Sequence, residues 1–95
     1  MMKNTNFFQL FRKRGFSETI EILQDFPNYE AIQSKFFEKL VESNSYPNTF
    51  FRVKGSLLKH NIIAYKLNNN NEKVIFLTEK GLDVWNRIQE IEKIL

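Results

Sequence analysis

Within nine positions of one another, the 95-residue chain places Asn48, Thr49, Phe51, Arg52 and Ser56. A guanidinium can donate to the two acceptors of guanine, an amide can match adenine, and an apolar ring can pack on a thymine methyl. Lys54, Lys59 and Lys66 add point charges suited to phosphate, which position a bound chain without reading its sequence. Groups for covalent or metal chemistry are scarce by contrast. Cysteine is absent and His60 is the single histidine. That removes thiolate ligands and a Cys nucleophile and leaves little for a His-based metal site or a Ser-His-Asp arrangement. The acids sit on charge-alternating helix surfaces, with no nucleophile–base spacing and no glycine-rich phosphate loop. We expect no enzymatic activity, no cofactor and no metal.

The net charge of +3 is unevenly distributed. Residues 1–14 carry +4, residues 15–42 carry −4, residues 43–71 carry +4, and the remainder carries −1. The third block contains no carboxylate over 29 residues. An anion-facing surface produces such a block, because a carboxylate there would be repelled by phosphate. Arg12, Lys13 and Arg14 close the first positive block and are further candidates for phosphate contact, although cations at a helix C-terminus are also favoured by its dipole. Apolar residues make up 42% with ten Phe, enough for one packed domain at this length. No run approaches the ~20 apolar residues needed to span a bilayer. The first residues lack a cleavage pattern, so a cytoplasmic, nucleoid-associated location with no membrane partner is expected.

The elements that would hold these groups follow from periodicity. Phe7, Leu10, Phe11 and Arg14 have helical spacing, and Gly15 is expected to end that helix in the left-handed region. Ser17 is expected to cap a second helix over 17–26, carrying Ile20, Leu23 and Phe26 until Pro27 stops it. Asn28 is expected to cap a third, striped by Ile32, Phe36, Phe37, Leu40 and Val41. Ser43 to Tyr46 form a polar turn, and Pro47 starts a helix whose buried face is Phe50, Val53 and Leu57. Asn61 closes it in the left-handed conformation. Residues 62–67 and 74–77 read as strands joined by the polar loop from Asn68 to Lys73. In that loop Asn69, Asn70 and Lys73 are candidates for a nucleic-acid backbone or groove. Thr78 caps a final helix with Leu82, Trp85, Ile88, Ile91 and Leu95 along one side.

At this point the sequence resembles a family. The run from Pro47-Asn48-Thr49 to Lys59-His60-Asn61-Ile62-Ile63 is similar to the recognition helix and its exit in MarR-, HxlR- and ArsR-like prokaryotic regulators. Leu77-Thr78-Glu79-Lys80-Gly81 is similar to the segment joining the last wing strand to the C-terminal helix. Residues 10–15 and 20–23 resemble the opening helices of small archaeal members. The resemblance spans most of residues 10–85. Four features depart from it: Asn61 stands where Gly is usual, Gly55 lies inside the helix, Phe51 is on its wet face, and Pro27 to Ser34 make a long link.

The resemblance implies an α+β, mostly α fold: a winged helix-turn-helix with a three-helix core, a two-stranded β-hairpin wing and a C-terminal helix. Residues 1–95 would be one such domain, with an N-terminal helix over 1–15, the helix-turn-helix over 28–60, the wing over 62–77 and a dimerisation helix over 78–95. The implied function is sequence-specific regulation of transcription on double-stranded DNA. The homodimer interface would comprise Phe7, Phe8, Phe11, Trp85, Ile88, Ile91 and Leu95. The same features also fit a sequence-independent chromatin, replication or segregation protein, and a winged helix that binds an acidic protein. No residue points to a particular small-molecule effector.

Overall fold

A computed structural model describes residues 10–43 and 45–95. Residues 10–12 are helical, and the chain then breaks at Lys13, whose ψ of 134° is extended. Helix α1 runs Arg14–Gln24 and is followed by a 3-10 turn, Pro27–Tyr29, and a short strand β1, Glu30–Ile32. Helices α2, Gln33–Glu42, and α3, Pro47–Lys59, are joined by a short turn. Strands β2, Ile63–Leu67, and β3, Lys73–Leu77, form a hairpin, and helix α4 runs Glu79–Ile94. The architecture is α+β, mostly helical, with one three-stranded antiparallel sheet in the order β1-β3-β2.

The sheet is where the structure departs most from expectation. Instead of a two-stranded hairpin, β3 is flanked on both sides, with Ala31 opposite Ile75 and Tyr65 opposite Ile75. Ile32 therefore belongs to a strand rather than to the α2 stripe, and Asn28 does not cap a helix. Asn28 and Tyr29 instead take positive φ of 58° and 57° and turn the chain into β1. An isolated two-stranded hairpin is marginally stable in water, so the third strand anchors β2 and β3 to the body of the domain.

Gly15 also differs from expectation. It lies in the first turn of α1, and its φ is not positive. A Cβ there would collide with the Thr49 carbonyl oxygen and touch Val53 at 3.1 Å. Glycine is needed because α1 meets the backbone of α3, not because a helix ends. Ser17 likewise sits within α1, where its hydroxyl faces the Arg14 carbonyl at 3.5 Å.

Expected elements that the structure reproduces have local causes. Pro47 stands at the start of α3, and Asn61 has φ 59° just after it. Thr78 Oγ1 accepts from the Gly81 N–H at 2.9 Å and lies 3.1 Å from the Ile62 carbonyl. Gly81 is pressed against that same carbonyl, so the Leu77–Gly81 segment locks the start of α4 to the exit of α3. The core gathers Phe16, Ile20, Leu23, Phe36, Leu40, Phe50, Val53, Leu57, Ile63 and Ile75 from all layers. The Phe36 and Phe50 rings meet edge-on at 5.0 Å, fixing α2 against α3.

Two residues expected at a dimer contact belong instead to the core. Trp85 and Ile88 are only 7% and 8% exposed, buried in this chain's own core, with Trp85 beside Phe16. Phe11 packs edge-on against Phe16 at 5.6 Å. An apolar stripe looks the same in sequence whether it covers its own domain or a second copy. Ile91 and Leu95 remain exposed at 57% and 98%. Phe7 and Phe8 lie outside the described residues.

Candidate nucleic-acid interface

Helix α3 turns Phe50, Val53 and Leu57 inward, which leaves the intervening positions outward by the 3.6-residue period. Asn48, Phe51, Arg52, Gly55 and Lys59 are exposed, and Thr49, Lys54 and Ser56 are half-buried. Phe51 is 52% exposed, yet its ring rests on Phe37 and Phe50 at 5.6 Å each. It is therefore a braced apolar projection rather than a loose side chain. Gly55 has nothing within 4 Å of a Cβ built upon it, so no contact inside the chain calls for glycine there.

The N-terminal half of α3 meets the start of α1 at a cleft of about 340 Å³ lined by Lys13, Arg14, Gly15, Thr49, Arg52 and Val53. The two positive blocks of the sequence thus converge in space. Arg14 is partly neutralised there, its Nε donating to Glu18 at 2.6 Å. Arg12 and Lys13 are exposed beside it.

The hairpin tip is ordered by one residue. The Asn68 side-chain oxygen accepts from the N–H groups of Asn70 and Glu72 at 2.9 and 3.0 Å, and Asn71 takes φ 59°. Asn68 therefore serves the turn itself, which leaves Asn69 and Asn70 exposed at the tip.

Three lysines lie over aromatic rings in this region, with different surroundings. Lys54 Nζ is 5.8 Å from the Phe51 ring and 5.3 Å from the Tyr65 ring, and Lys73 Nζ is 5.5 Å from Tyr65. Lys66 lies over Phe76 at 5.2 Å, but it donates to Glu30 Oε1 at 2.8 Å. Strand alternation puts Lys66 on the opposite face of the sheet from Tyr65. Lys66, expected on the same phosphate-facing surface as Lys54 and Lys59, is thus neutralised across β3 and directed elsewhere.

Tyr65 drew no functional expectation. Burial raises its phenol pKa above the usual value of 10.0, and its hydroxyl finds no hydrogen-bond partner. The usable signal was the hairpin register. Tyr65 opposes Ile75, so Lys73, two residues before Ile75, is its diagonal neighbour on the same face.

Among the described residues the ion pairs are Arg14–Glu18, Lys35–Glu38, Lys66–Glu30 and Arg87–Asp83. None involves a cation of α3. Also among the described residues, no group of three or more His, Cys, Asp or Glu could hold a metal ion, and no helix is long and apolar enough to cross a membrane. Comparison with protein-family profiles, curated proteins and solved structures finds no match to this chain.

Proposed function

We propose that the chain is a winged helix-turn-helix protein that binds double-stranded DNA as a homodimer and regulates transcription. In this reading α3 enters the major groove, and the hairpin is the wing. One observation carries it: among the described residues Arg52, Lys54 and Lys59 enter no ion pair, whereas α1, α2 and α4 each satisfy a cation with an acid on the same helix. A helix that keeps three cations free of acids over its exposed face retains the charge that counterion release from DNA rewards. Asn48, Ser56 and the braced Phe51 supply hydrogen-bonding and apolar groups along the same helix. The third strand supports the wing assignment, since it makes the hairpin a rigid projection beside α3. Ile91 and Leu95 are what remains of the proposed dimer contact, on the far end of α4.

Fluorescence anisotropy of the full chain with a labelled random duplex tests the reading at 50 and 200 mM salt. Micromolar or tighter binding at low salt, weakening steeply as salt rises, is the expected outcome. Selection from a random duplex pool should then enrich one site by roughly 10³-fold or more over bulk DNA. A chain with no affinity for any duplex at 50 mM salt rules the reading out.

A further inference from the structure

Lys54 and Lys73 come from different elements, the helix α3 and the strand β3, yet both ammonium groups lie over the ring of Tyr65 on β2. Lys54 also lies 5.8 Å from the ring of Phe51, three residues earlier on the same helix. A ring attracts an ammonium through its quadrupole and leaves the full positive charge in place. A carboxylate would hold the same lysine and cancel that charge. Neither Lys54 nor Lys73 enters an ion pair among the described residues. Two cations brought to one ring raise the local positive potential, which an anion relieves. The Tyr65 hydroxyl has no partner, so the ring, not the hydroxyl, organises the pair.

We propose that Lys54 and Lys73 form a two-pronged clamp for the phosphodiester backbone of a nucleic acid, with Tyr65 as its positioning residue. The inference rests on the DNA-binding reading above and adds two things to it: the residue that prepares the site, and a coupling between helix and hairpin. Through Tyr65 the two elements grip the backbone as one unit instead of contributing separate contacts.

The test uses the full chain, a labelled random-sequence duplex and salt from 50 to 200 mM. Tyr65→Phe keeps the ring and should bind within about twofold of the parent. Tyr65→Leu, shown to be folded by thermal unfolding, should bind roughly three- to tenfold more weakly, because Lys73 loses its ring and Lys54 keeps only that of Phe51. Lys54→Gln and Lys73→Gln should each lower the slope of log affinity against log salt by about 0.9. Their combined effect should be non-additive in the parent and additive in the Tyr65→Leu background. If Tyr65→Leu fails to fold, the Lys54→Gln/Lys73→Gln cycle in the parent decides alone. Strict additivity in the parent, or an unchanged salt slope in Lys73→Gln, overturns the clamp. A parent that binds no duplex defeats both the clamp and the DNA reading, whereas a parent that binds while Lys73→Gln is silent defeats the clamp alone.

Discussion

On one face of the sheet Lys66 lies over Phe76 and ends on Glu30; on the other, Lys54 and Lys73 lie over Tyr65 and pair with no acid among the described residues. The local chemistry is otherwise alike, a lysine stem against an aromatic ring. The difference is one carboxylate, supplied by β1, the strand that joins the sheet from just before α2. Where Glu30 reaches across β3, the cation serves the fold. Where no acid is within reach, the cation remains available to a partner. Charge near an aromatic ring is therefore not by itself a sign of binding, and the identity of the next residue outward decides.

Charge reversal should give the largest contrast between the two faces. Lys54→Glu places an acid on the open face and should weaken duplex binding on the order of 10- to 100-fold at 50 mM salt. Lys66→Glu, on the face already neutralised, should change binding far less, although it sets two acids side by side. Equal losses in the two variants, measured by anisotropy, would erase the distinction between the faces.

Arg52→Ala should come next. It removes a free guanidinium from the cleft shared with Lys13 and Arg14 and should cost roughly 1–3 kcal/mol, with discrimination relaxed at one base position if the contact is two-pronged. Lys59→Ala should weaken all duplexes alike and flatten the salt slope by about one unit. An unchanged affinity of Arg52→Ala for the selected site would remove α3 from the groove.

Gly55→Ala separates fold from binding on the open face. None of the described residues touches a Cβ at this position, so alanine should stabilise the helix by up to about 1 kcal/mol in thermal or denaturant unfolding. If the backbone of α3 approaches DNA there, the more stable variant should also bind less tightly. Stabilisation with undiminished affinity would place the DNA away from this turn of α3.

Much of this organisation is legible in the sequence, and what is not has a common cause. The start of α3 at Pro47, its left-handed exit at Asn61 and the Thr78 cap depend on neighbours within a few residues, and all three stand in the structure as expected. The outward placement of Asn48, Phe51, Arg52 and Lys59 follows from the same local period. β1 was missed because three residues make a strand only by pairing with β3, more than forty positions later. Gly15 was misread because the Thr49 carbonyl that excludes its side chain lies on another helix. Tertiary packing likewise sets the strand face that brings Lys66 to Glu30 and the core contacts that bury Trp85, and neither shows in local periodicity. Tyr65 went unmarked because its role depends on lysines from two other elements.

The smallest expected effect probes Glu30 itself. Glu30→Gln removes the carboxylate from the exposed Lys66 pair and leaves an amide of similar shape. An ion pair this accessible contributes only about 0–1 kcal/mol, so unfolding should shift slightly or not at all. Lys66 then has no carboxylate offsetting its charge but stays on the face of the sheet turned away from Tyr65. If DNA is gripped by α3 and the Tyr65 face, the salt slope should remain within experimental error of the parent. A slope steeper by about one unit would mean that Lys66 meets a phosphate once Glu30 no longer holds it. That result would extend the DNA-facing surface around the edge of the hairpin, and it would make Glu30 a residue that limits binding and not only one that ties the sheet together.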